Sequence, residues 1–143
     1  MMLQRVLAFD VGDRRIGIAV SDPLGITAQG LETYTRAQDD EAADIAYLLK
    51  LANSYAPAKL LFGMPRNMNG TYGEQAEKVK AFSEKLLEQW EGPYDYFDER
   101  LTTVSAERVL VTADVSRKKR KQVVDKLAAV VILQGYLDSG RNR

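Results

Sequence analysis

Histidine and cysteine are both absent from this 143-residue chain. Without cysteine there can be no disulfide, no thiolate nucleophile and no zinc knuckle, which fits a reducing cytosol. Without histidine there is no Ser-His-Asp triad, no imidazole general base and no His-ligated zinc. No apolar run approaches about 18 residues, and the start Met1-Met2-Leu3-Gln4-Arg5 has no long apolar stretch. The sequence therefore predicts a cytoplasmic protein, neither secreted nor bound to a membrane. An excess charge of one sign is missing too, because 20 Lys/Arg balance 20 Asp/Glu. A net-neutral chain is no general nucleic-acid sponge.

The balance hides an asymmetry. Residues 116 to 143 carry eight Lys/Arg against two Asp/Glu, and residues 1 to 115 carry twelve against eighteen. Such a split favours a polyanion that approaches from one side.

The length suits one domain spanning 1–143, able to bury roughly two thirds of its unfolded surface. Residues 3–10 read as a strand, nearly continuous in its apolar part and so central in a sheet. Residues 14–21 alternate, with Ile16, Ile18 and Val20 on one face; the short link Val11-Gly12-Asp13 points to a hairpin. Residues 26–34 give a third, more polar strand. A helix begins after Asp39, Asp40 and Glu41, runs through Ile45, Leu48 and Ala52, and ends before Pro57. A short buried strand at 59–63 leads to a second helix through Ala76, Val79, Phe82, Leu86 and Trp90. A fifth strand at 94–98 and a short helix at about 103–111 follow. A polar segment then precedes a last helix, roughly 121–138, apolar almost all round at its middle. The order βββαβαβαα predicts an α/β fold: a five-stranded mixed sheet, an antiparallel three-stranded meander plus two parallel strands, with helices on both faces.

Three carboxylates sit where a fold tolerates them poorly. Asp10 ends the apolar run Val6-Leu7-Ala8-Phe9, Asp98-Glu99 end Tyr94-Asp95-Tyr96-Phe97, and Asp125 interrupts the apolar last helix. Uncompensated buried carboxylates cost several kcal/mol. Asp10 lies at the carboxyl end of the first strand and Glu99 just past the end of the fifth, where α/β sheets gather ligands, so the two would meet at one edge if these strands are neighbours. Asp125 shares a helix stripe with Ala128, Ala129 and Ile132. Each has a plainer reading: Asp10 as a turn residue, Asp98 and Glu99 as helix caps or a partner of Arg100, and Asp125 as a solvent-facing acid beside Lys126. If the acids converge, oxygen-only ligation suits Mg2+ or Mn2+, and two such ions could drive phosphodiester hydrolysis without histidine.

The run Arg117, Lys118, Lys119, Arg120 and Lys121 reads as a self-repelling, mobile loop that would overhang such a site and meet backbone phosphates. Arg14 and Arg15 near the first turn could help, although Arg15 could equally pair with an acid at the rim. The loop Gly63 to Thr71 offers Gly and Asn backbone amides for phosphate.

Four blocks of this sequence resemble one known family: Phe9 to Asp22, Gly63 to Gly70, Asp98 to Thr103 and Arg117 to Ala129. They look like the signature blocks of the YqgF family, also called RuvX, of Holliday junction resolvases and pre-ribosomal RNA nucleases. The blocks come in family order and cover nearly the whole chain. The resemblance implies a ribonuclease H-like fold and a divalent-metal nuclease whose acidic positions are Asp10, Glu99 and Asp125. Its substrate would be structured nucleic acid, either a branched DNA or the 5′ end of the small-subunit ribosomal RNA precursor. One departure is Asp13, where related sequences often carry Thr; an extra acid there could crowd the metal site or face solvent. A dimer would suit a two-fold junction and a monomer a single cut.

Two rivals remain at the level of sequence. The actin and sugar-kinase group also opens on a strand, an Asp and a Gly turn, but needs two such domains to enclose a nucleotide. A non-catalytic nucleic-acid-binding module would gain from shedding the three like charges, all of which are present.

Overall fold

The computed structural model describes residues 5–55, 58–65, 73–98 and 117–140, with side chains given from residue 127 onward in the last of these segments. Strands β1 (Arg5–Val11), β2 (Arg15–Ser21) and β3 (Ala28–Thr35) form the expected meander. Helix α1 (Glu41–Ser54) leads to β4 (Ala58–Met64), and α2 (Glu74–Leu87) to β5 (Tyr94–Asp98). The last described element is α3 (Arg117–Asp138). The sheet order is β3-β2-β1-β4-β5. β1 pairs antiparallel with β2 and parallel with β4, which pairs parallel with β5. The sequence-based sheet is thus observed, and the short helix expected near 103–111 lies outside the described residues.

Side-chain alternation sorts the sheet into two faces. Leu7, Phe9, Val11, Ile16, Ile18, Leu60 and Phe62 join Ile45 and Leu48 of α1 and Val79, Phe82 and Leu86 of α2 in one cluster. Val6, Ala8, Ala19 and Leu61 join Ala129, Ile132, Leu133 and Tyr136 of α3 in the other. A period of two in β1 makes both faces apolar, which is why its run is continuous in sequence. Asp40 caps α1, its carboxylate accepting from the Ala43 amide at 3.1 Å; this satisfies a donor the first turn would leave open.

The structure corrects one expectation. The basic run Arg117, Lys118, Lys119, Arg120 and Lys121 is the start of α3, not a mobile loop. Lys and Arg are among the better helix formers, because their straight stems lose little rotamer freedom. The buried stripe through Ala129, Ile132, Leu133 and Tyr136 anchors the helix that they extend.

Candidate active site

Asp10 is the penultimate residue of β1, half-buried, and alternates with Phe9 and Val11 so that it shares the α3 face with Ala8. Its partner across the β1/β2 ladder is Gly17. On the other side, the Phe9↔Phe62 pairing puts Gly63 at its level, and Gly63 in turn pairs with Phe97 of β5. The carboxylate therefore stands between two strand positions without side chains.

Arg15 opens β2, half-buried, two residues before Gly17 and hence on the same face as Asp10. Diagonal neighbours of this kind lie within reach of long side chains. The turn between them is tight: the Gly12 amide donates to the Arg15 carbonyl at 2.9 Å. A Cβ at Gly12 would meet that same oxygen at 2.9 Å, so only glycine fits without a backbone shift.

Helix α3 runs antiparallel to β1 over this face. Near its carboxyl end, Tyr136 donates to Asp95 at 3.0 Å and lies under the Lys59 ammonium at 5.1 Å, close to the starts of β5 and β4. Gln134 accepts from the Ala28 amide at 3.0 Å at the start of β3. Going back from Tyr136 to position 125 climbs about 16 Å at 1.5 Å per residue. Going from Arg5 to Asp10 climbs about 16 Å of strand. Position 125 is thus carried toward the carboxyl edge of the parallel strands, and positions 117–121 extend past it.

The remaining acids divide. Asp98 has the parity of Tyr96, which packs in the α1/α2 cluster, so Asp98 falls on the face opposite Asp10. Asp13 is exposed and 3.5 Å from the Lys78 ammonium of α2, which draws it to that same far side. Glu99, the Asp125 side chain, the side chains of residues 117–121 and the loop 66–72 lie outside what the structure describes. Among the described residues no three of His, Cys, Asp and Glu converge, and no helix is long and apolar enough to cross a membrane.

Sequence reasoning missed Arg36. Its guanidinium donates from Nη1 to the Gly12 carbonyl at 3.0 Å and from Nε to Asp44 at 2.9 Å, and it lies over the Phe82 ring at 4.8 Å. Asp44 is fully buried. Burial pushes its carboxyl up, but donation from the Ala37 amide, Arg36 and Tyr34 outweighs this and holds it below the ordinary carboxylate range. No local pattern announces the pair, because its partners come from four elements.

The family model described as "RuvX: Holliday junction resolvase" matches residues 4–139. The chain belongs to the RuvX family. A relative from Desulforamulus reducens named "Putative pre-16S rRNA nuclease" is 56% identical over 95% of this chain and 98% of its own length. A relative from Clostridium novyi with the same name is 56% identical over 94% and 98%. Among solved structures, Thermus thermophilus RuvC in complex with a Holliday junction substrate superposes with a TM-score of 0.61 over 96% of both chains at 16% identity. At that identity the likeness concerns the fold, which is the ribonuclease H-like one that the RuvX resemblance implies.

Proposed function

We propose that this RuvX-family protein is a divalent-metal-dependent nuclease of the cytoplasm that cuts structured nucleic acid, with the 5′ side of the 16S ribosomal RNA precursor as its substrate. The observation that carries the reading is Asp10 at the carboxyl edge of the parallel strands, flanked by glycine positions, with Arg15 beside it and α3 approaching the same edge. The names of the relatives at 56% identity support the substrate.

The donors fit a hard cation. Every candidate ligand is a carboxylate and the chain has no imidazole or thiolate to offer a softer metal. Asp10, Glu99 and Asp125 would hold the ions. Bound Mg2+ or Mn2+, as a pair, supplies Lewis-acid activation of a water and neutralises charge on the leaving oxygen. The protein's share is to gather the carboxylates and to seat the phosphates. Gly17 and Gly63 leave the space beside Asp10 open to a phosphodiester. Arg15, and beyond it Arg117, Lys118, Lys119, Arg120 and Lys121, would neutralise flanking phosphates, aided by the positive end of α3.

The description of the family model favours a second substrate, a four-way DNA junction. A side-by-side cleavage assay of the two, with Mg2+ or Mn2+ and with Asp10→Asn as control, separates them. The proposal expects metal-dependent cutting of the RNA precursor that Asp10→Asn abolishes. Cutting of the junction alone would reassign the substrate, and an Asp10→Asn variant that cuts normally would refute the site.

A further inference from the structure

The turn that joins Asp10 to Arg15 is clamped from the opposite side of the sheet. Arg36, just after β3, donates its backbone amide to the Arg14 carbonyl at 2.8 Å and its Nη1 to the Gly12 carbonyl at 3.0 Å. Both ends of the Gly12–Arg14 turn are thereby fixed by one residue. The guanidinium is itself locked. Nε meets Asp44 at 2.9 Å, Nη2 stands 3.9 Å from Glu41, and the plane lies over Phe82. The Arg36 side chain is 17% exposed and that of Asp44 1%. Asp44 is held in turn by the Tyr34 hydroxyl at 3.0 Å and the Ala37 amide at 2.9 Å.

A partly buried arginine that spends one nitrogen on a carboxylate and another on a turn carbonyl acts as a fork, and lysine cannot copy it. We propose that Arg36, oriented by Asp44, is a positioning residue: through the Gly12 and Arg14 carbonyls it sets the turn that aims Asp10 and Arg15 at the metal and the phosphate. Outer partners that orient metal ligands typically contribute 10–100-fold in metal affinity or activity. The inference rests on the reading of Asp10 as a metal ligand.

The test compares Mn2+ affinity, read by electron paramagnetic resonance of free Mn2+, and kcat in wild type, Arg36→Lys, Asp44→Asn and Leu48→Ala. Leu48 is fully buried on the same face and its side chain makes none of the hydrogen bonds that hold the turn, so it reports plain destabilisation. In conditions where each variant is folded, Arg36→Lys should weaken Mn2+ binding and lower kcat by about 10-fold or more. Asp44→Asn, which keeps the size but loosens the guanidinium, should do so less, and Leu48→Ala should leave both unchanged. Wild-type Mn2+ affinity in folded Arg36→Lys, or an equal loss in Leu48→Ala, overturns the proposal. Should Arg36→Lys fail to fold, Asp44→Asn decides alone by the same criterion. Asp10→Asn is run alongside: if it binds Mn2+ as tightly as wild type, the ligand reading itself has failed and this inference falls with it, whereas a loss there with none in Arg36→Lys sinks only the inference.

Discussion

The two faces of the sheet are built differently. The α1/α2 face is filled with large side chains, Phe9, Phe62, Leu7, Ile16, Ile18 and Leu60, against two helices. The α3 face uses Ala8, Gly17, Ala19 and Gly63 along the middle of the sheet, under one helix that lies chiefly on β1, β2 and β3. Large residues on the first side carry the larger share of the burial that stabilises the domain, at roughly 25 cal/mol per Å² of apolar surface, and Val6, Leu61, Ile132, Leu133 and Tyr136 add a second, smaller cluster under α3. Small ones on the other let α3 come close while the carboxyl edge near Asp10 stays free of bulk. The molecule thus places its bulkier core on the face away from Asp10. Among the described residues, the Arg36 clamp is the device that reaches from that face to the other.

The largest effect that could break this division is a cavity on the packed face. Leu86→Ala empties a fully buried site on α2 and should cost about 2–5 kcal/mol in urea unfolding. Cleavage by the folded fraction should stay at the wild-type rate; a loss of activity beyond the unfolded fraction would show that the faces are not separate.

A smaller effect belongs to the start of α3. Replacing Arg117, Lys118, Lys119, Arg120 and Lys121 with glutamine should leave unfolding nearly unchanged, since glutamine forms helices about as well. Substrate affinity measured against salt should fall, with the slope of log affinity on log salt reduced by about 0.7–0.9 for each phosphate that these side chains no longer neutralise. An unchanged slope would remove this segment from the binding surface.

The smallest effect is an acid one and sharpens the account of the clamp. Asp44 has a folded pKa below its unfolded value, so its contribution to stability is present above the unfolded value of about 3.9 and is lost as pH falls through the folded one. Unfolding of wild type should therefore lose ground to Asp44→Asn as pH drops below about 4. Parallel pH profiles for the two proteins would mean that the carboxylate is not held ionised by its donors.

How much of this is legible in the sequence depends on the range of the interaction. β5 reads as 94–98 and is observed as Tyr94–Asp98, because an apolar run between Gly92-Pro93 and two acids carries its own boundaries. That β4 and β5 run parallel to β1 follows from helix-linked connectivity, but the order within the sheet does not: β4 lies between β1 and β5, which are not the neighbours that would bring Asp10 and Glu99 side by side. Asp10 is legible as an odd residue but not as a choice between turn former and ligand; its face is set by pairing with Gly17 across the ladder. The basic run misleads because charge repulsion is visible in sequence, whereas the anchoring of α3 by residues a dozen positions later is not. Asp13 reads in the sequence as an acid that could crowd the metal site or face solvent, and its exposed carboxylate stands 3.5 Å from the Lys78 ammonium. Arg36 and Asp44 leave no signal, as a pair whose partners come from the Gly12 turn, β3, the loop after it, α1 and α2 has no spacing to read.

The nuclease proposed for this chain stands or falls with a divalent-cation site that includes Asp10 at the carboxyl edge of the sheet. Mn2+ titration of the intact chain and of Asp10→Asn, followed by electron paramagnetic resonance, tests it most directly. The account predicts tight Mn2+ binding by wild type, weakened at least about 100-fold in Asp10→Asn since even outer partners are worth 10–100-fold, with both proteins unfolding at similar urea concentrations without metal. Equal Mn2+ binding by the two folded proteins would contradict it.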